Sequence, residues 1–92
     1  MPKVILKKPK TTYYLYMLMC ADDTLYTGIT TDLTRRLTEH NSGRVGAKYT
    51  RARRPVQIVY SKKYKDRSSA SVAEANMKKL TREQKLALLE AN

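Results

Sequence analysis

Tyr13 to Cys20 form an unbroken apolar and aromatic run that ends at Ala21-Asp22-Asp23-Thr24. This segment constrains the fold most. Its length and lack of polar alternation predict a strand covered on both faces. Helix is the competing reading, but the tyrosine density and the turn that follows at once argue against it. Leu25-Tyr26-Thr27-Gly28-Ile29 reads as a second strand, so the pair is expected to form an antiparallel hairpin.

Beyond the hairpin the period changes. Asp32 (or Thr31) can cap a helix that runs to about Asn41, with Leu33 and Leu37 as its buried stripe and Asn-Ser-Gly as its end. Arg36 and His40, four apart, share an adjacent face of that helix. Residues 42–54 are polar and glycine-containing, and read as a loop. Pro55 opens a third strand, Val56-Gln57-Ile58-Val59-Tyr60. Asp66 can cap a second long helix whose core stripe is Ala70, Ala73, Met77 and Leu80. Thr81 with Gln84 has the form of a capping box, opening a short C-terminal helix that carries Leu86 and Leu89. The expected order is ββαβαα: an α+β domain with a small three-stranded antiparallel sheet flanked by helices.

At 92 residues the chain has room for one domain. Residues 1–11, with four lysines and two prolines, read as a mobile basic tail, leaving 12–92 as the domain. Cys20 is the sole cysteine. It allows no internal disulfide, is expected to be buried, and suits a reducing interior such as the cytosol. No segment has the apolar length of a secretory signal or a membrane span.

Nineteen Lys and Arg against eight Asp and Glu leave a net charge of +11. Such an excess on a small body favours polyanionic partners. Nucleic acid leads, ahead of an anionic membrane surface and acidic proteins. The basic residues concentrate in the acid-free stretch holding Arg44, Lys48, Arg51, Arg53 and Arg54, with Tyr49 among them. That interleaving of bases with an aromatic suits phosphate contact, although a charge run is also an ordinary solvated face.

A P-loop, a dinucleotide-binding glycine fingerprint, a nucleophile elbow and paired metal-binding histidines are all absent from the sequence. What remains is tyrosines on two paired strands, Arg36 and His40 on the next helix, and Glu74 on a later one. Taken singly, these residues have plain readings. Tyr16 and Tyr26 serve as core tyrosines, Arg36 as a solvated helix residue, His40 as a surface or cap residue, and Glu74 as an exposed acid pairing with Lys78.

Together they resemble a known signature. Tyr14-Leu15-Tyr16, then Tyr26-Thr27-Gly28, then Arg36 and His40, and finally Glu74 are similar to the motif series of the GIY-YIG endonucleases. Leu25 to Thr30 and Ala47 to Arg51 further resemble its small stand-alone bacterial members, which are related to the UvrC nuclease domain. Tyr14 stands where the family name has Gly, and Thr27 where it has Ile. The resemblance implies hydrolysis of phosphodiester bonds in DNA, including branched or single-stranded DNA. Tyr26 would be the general base with Tyr16 supporting it, and Arg36 would meet the phosphate oxygens with His40 alongside. Glu74 would hold Mg²⁺ or another divalent cation such as Mn²⁺. The set suits the chemistry, because the transition state gathers charge on phosphate oxygens and a water must be oriented or deprotonated. The competing expectation is a non-catalytic module that binds nucleic acid with the same fold. A basic RNA- or ribosome-associated protein is the third.

Overall fold

The computed structural model describes residues 12–42 and 46–91. The expected basic tail, residues 1–11, and Arg44 lie outside them. Tyr13–Met19 (β1) and Leu25–Thr30 (β2) form the hairpin, followed by Leu33–Asn41 (α1) and the short helix Lys48–Arg51 (α2). Gln57–Tyr64 (β3), Arg67–Lys78 (α3) and Arg82–Ala91 (α4) complete the chain. The sheet has three strands in the order β2-β1-β3, with both pairings antiparallel. The most apolar strand is thus central, as a strand covered on both faces should be.

The expected caps are present. Asp32 Oδ1 accepts from Arg35 N at 3.0 Å, and Asp66 Oδ1 accepts from Ser69 N at 2.8 Å. Thr81 and Gln84 close a reciprocal box at 2.9 and 3.1 Å. Two expectations need correction. The stretch read as loop contains α2, which has no side-chain cap and spans a single turn, so it leaves no periodic signal. The third strand runs to Tyr64 rather than ending at Tyr60. Its second half, Ser61-Lys62-Lys63, lies on a sheet edge, where lysines are common and hydrophobic patterning fades.

Alternation along β1 divides the core. Tyr16, Leu18 and Cys20 pack with Val56, Ile58, Tyr26, Leu33 and Leu37 on the α1 face. Leu15 and Met17 pack with Met77, Ala73, Leu80, Leu88 and Leu89 on the face covered by α3 and α4. A bulge in β3 lets that strand serve both. Met17 faces Tyr60 and Leu18 faces Ile58, so Val59 is the extra residue. Ile58 therefore joins the α1 face while Tyr60 and Tyr64 join the other.

Candidate active site

The hydroxyl end of the Tyr16 ring lies against Gly28, its register partner across the hairpin. A Cβ on residue 28 would come within 2.6 Å of the Tyr16 hydroxyl, so only glycine leaves room for the ring. Tyr16 is 2% exposed, and its hydroxyl lies 2.8 Å from His40 Nε2. His40 is fully buried, which corrects the plain reading of it as a surface or cap residue. Its other nitrogen, Nδ1, lies 2.7 Å from Thr50 Oγ1. Thr50 donates its own hydroxyl proton to the Ala47 carbonyl at 3.0 Å, so it accepts from His40 Nδ1–H. That assigns the tautomer: the proton is on Nδ1, and Nε2 accepts from the Tyr16 hydroxyl.

The electrostatics agree with this assignment. Burial, followed by the nearby Arg36 guanidinium, pushes the His40 pKa down to about 4, so the ring is neutral at ordinary pH. Burial also pushes the Tyr16 phenol above its usual value, with the hydrogen bond from Arg36 opposing it. Tyr16 therefore keeps its proton and gives it to His40, while its oxygen accepts from Arg36. The resulting chain runs Arg36, Tyr16, His40, Thr50, Ala47.

Tyr26 sits beside this chain. Its ring meets His40 edge-on at 5.2 Å and stacks on Tyr49 at 5.9 Å, and the Arg53 guanidinium lies over the Tyr49 ring at 4.0 Å. Helix α2 thus touches both strand tyrosines, Tyr26 through Tyr49 and Tyr16 through Thr50 and His40. Loop and helix are fastened together. Asn41 exchanges two hydrogen bonds with the Val56 backbone, at 3.0 and 2.7 Å, and Arg54 Nε donates to the His40 carbonyl at 2.7 Å. Arg53 pairs with Asp22 in the hairpin turn at 3.0 Å. Of the five bases expected to face phosphate, Arg53 and Arg54 are therefore engaged internally, Lys48 and Arg51 are exposed, and Arg44 lies outside the described residues.

Arg36 Nη1 donates to Glu39 Oε1 at 2.9 Å, from the same helix. Glu74 projects from α3, the helix on the opposite face of the sheet, and pairs with Lys78 at 3.4 Å, as the four-residue spacing suggests. Its charge nonetheless acts on the Tyr16 phenol, opposing the Arg36 guanidinium. Arg36 and His40 thus meet directly at the Tyr16 hydroxyl, Tyr26 adjoins it through the His40 ring, and Glu74 is linked to it by charge alone.

The family model for the GIY-YIG catalytic domain matches residues 12–87. The chain belongs to the GIY-YIG family. Among its relatives, the UPF0213 protein of Desulfotalea psychrophila is 48% identical over 90 residues, covering 95% of this chain and 82% of that protein. The UPF0213 protein of Enterococcus faecalis is 55% identical over 78 residues, covering 83% and 88%. A solution NMR structure of an E. faecalis protein superposes with a TM-score of 0.61 at 48% identity, covering 92% of this chain and 90% of that one. That of a UPF0213 protein from Bacillus halodurans gives 0.58 at 40%, covering 88% and 85%. Membership in the GIY-YIG family implies a nuclease-type domain with nucleic acid as its substrate class.

In GIY-YIG terms, the two name triplets lie on the adjacent strands β1 and β2 and meet where Tyr16 stands opposite Gly28, while Tyr26 stands opposite Leu18. The Thr27 departure has a structural consequence: its hydroxyl is buried without a hydrogen-bond partner among the described residues, on the apolar side of the sheet. Thr50 and Asn41 were not singled out from the sequence. Thr50 follows Tyr49 in a basic stretch and reads there as a solvated hydroxyl. The available signal was its place in Ala47-Lys48-Tyr49-Thr50-Arg51, the segment that most resembles the small members of the family.

Proposed function

We propose that the protein is a divalent-metal-dependent endonuclease that hydrolyses phosphodiester bonds in DNA. The observation that carries this reading is the convergence on the Tyr16 hydroxyl. Arg36 donates to it, His40 accepts from it, Tyr26 packs edge-on against the same His40 ring, and the Glu74 charge acts on it. Arg36 brings a permanent planar charge that suits phosphate oxygens. Tyr16, its proton committed to His40, acts as the anchor for Arg36 and is not free to serve as the base. That leaves Tyr26, with its ring held between His40 and Tyr49, to orient or deprotonate the attacking water.

Glu74 is the residue that would hold Mg²⁺ or Mn²⁺. Its carboxylate is about one-quarter exposed and offers a single hard oxygen group. A lone carboxylate fits an ion that keeps several waters and takes its remaining ligands from substrate phosphate. The bound ion would add positive charge at a phosphate oxygen. Lys78 competes for the same carboxylate, so metal affinity should depend on nucleic acid being present.

Cleavage of linear, branched and single-stranded DNA, with and without Mg²⁺, tests the reading. Glu74→Ala should slow cleavage by ~10²–10³ with little loss of binding, because its charge matters most in the transition state, and Arg36→Ala should slow it by as much while also weakening binding. Tyr26→Phe deletes only the hydroxyl and should also disable turnover. If all three variants cut like wild type, the assignment is wrong. A wild-type protein that binds every substrate and cuts none is instead a binding module.

A further inference from the structure

A second group of arginines lies beside the tyrosine site. Where β1 begins and β2 ends, α1 and the first residue of α3 border a cavity of 310 Å³. Arg35 and Arg36 enter it from α1, Arg67 from α3, and Tyr13 and Thr31 add hydroxyls. Among the described residues, Glu39 is the only carboxylate in its wall. That carboxylate is shared, at 2.9 Å from Arg36 Nη1 and 3.6 Å from Arg35 Nε. Arg67 has no ion pair among the described residues, and the neighbouring Asp66 is occupied in capping α3. Three guanidinium groups against one acid leave the cavity with a net charge of +2.

We propose that this cavity is a second phosphate subsite, which takes an internal phosphodiester of the strand next to the one held at Tyr16 and Arg36. Glu39 acts there as a displaceable counter-ion. The inference rests on the nucleic-acid reading above and deepens it. Three features support it. Arg36 belongs to both places, donating to Tyr16 on one side and to Glu39 on the other, so the two anion positions adjoin. The cavity is near the lower end of the roughly 300–1,000 Å³ typical of ligand sites, which is room for a nucleotide unit and more than a lone ion needs. The donors, forked guanidiniums and hydroxyls, match tetrahedral oxyanions. In the free protein Glu39 keeps Arg35 and Arg36 from repelling one another. When phosphate enters, it takes over those hydrogen bonds and the carboxylate turns toward solvent. The acid therefore lowers affinity as the cost of holding the arginines in place.

The test is a titration of a labelled single-stranded DNA octamer lacking terminal phosphates, in EDTA so that no turnover is needed. Arg35→Ala/Arg67→Ala should weaken binding at least about tenfold more than Arg82→Ala/Lys85→Ala, which removes the same charge from α4. It should also reduce the salt slope by about one. Glu39→Gln keeps an acceptor for Arg36 but removes the charge, and should tighten binding severalfold. This second arm stands even if the double variant fails to fold. Equal losses in the two charge-matched pairs, or unchanged or weaker binding by Glu39→Gln, overturn the subsite. If the pairs separate only on a 5′-phosphorylated octamer, the cavity reads strand ends, and the internal assignment is wrong. A wild type that binds no octamer sinks the parent reading, whereas absence of cleavage leaves this test intact.

Discussion

The two faces of the sheet are built on different principles. Toward α3 and α4, Leu15 and Met17 meet Met77 and a set of leucines, and the layer is held by area removed from water. Toward α1, the fully buried side chains include His40 and Thr50, and the layer is held by a hydrogen-bonded chain in which each donor and acceptor has its partner. The first layer tolerates changes of shape, at a cost that follows volume. The second tolerates almost none, since removing one member strands the next. The difference teaches where the protein keeps stability and where it keeps geometry.

The largest expected effect lies on the apolar face. Met77→Ala should destabilise by about 2–5 kcal/mol, as a cavity replaces the side chain. Chemical denaturation would measure it, and a loss under about 1 kcal/mol would mean the face is far more plastic than argued. At temperatures where the variant remains folded, its active-site geometry should be intact.

Next comes the pH response of the polar face. His40 titrates near 4 when folded and about 6.5 when unfolded. Above pH 6.5 both states are neutral and its contribution is constant. As pH falls from about 6.5 to about 4, the unfolded chain takes up a proton that the folded chain refuses. Stability is then lost progressively, by on the order of 3 kcal/mol, and the loss levels off below 4. The difference between wild type and His40→Asn across this range isolates the effect. Parallel stability curves for the two proteins would refute it.

Thr50→Val should cost about 1–3 kcal/mol by leaving His40 Nδ1–H without an acceptor, and Thr50→Ser should restore most of it. Imidazole ¹⁵N shifts give a sharper readout. Wild type should show the proton held on Nδ1, and the valine variant should show both tautomers. A histidine that stays wholly on Nδ1 without Thr50 would disprove its role in orienting the ring.

The smallest effect has the opposite sign. Thr27→Val removes a buried hydroxyl that has no partner among the described residues and should stabilise by about 1 kcal/mol, visible as a rise in Tm of roughly 4–8 °C. A destabilised variant would mean that the hydroxyl has a partner after all.

The local chemistry of the chain was legible wherever one segment carried its own signal. The hairpin run, the Asp32 and Asp66 caps, the Thr81–Gln84 box and the helical stripe Ala70, Ala73 and Met77 all lie where they were expected, whereas Leu80 reaches the same core from the turn after α3, which ends at Lys78. The fold class could be read for the same reason. Features that depend on a distant partner could not. Thr50 is ten residues from His40 and Arg54 fourteen, and neither pairing leaves a periodic trace. The identity of Tyr16, Tyr26, Arg36 and Glu74 came through resemblance, whereas the burial of His40 and the internal use of Arg53 and Arg54 needed the fold. Arg67 went unnoticed because its significance comes only from facing α1 across the end of the sheet.

The bulge at Val59 acts on β3 as a shift of reading frame. Each strand residue carries one of two addresses, and its address is set by counting in twos from the start of the strand. One unpaired residue changes the count, so Val56 and Ile58 are delivered to the face of His40 while Tyr60 and Tyr64 go to that of Met77. Deleting Val59 would shorten the strand by a single residue, yet it would misdirect everything on one side of the deletion. The polar and apolar layers coexist in so short a chain because a single strand is read in two frames.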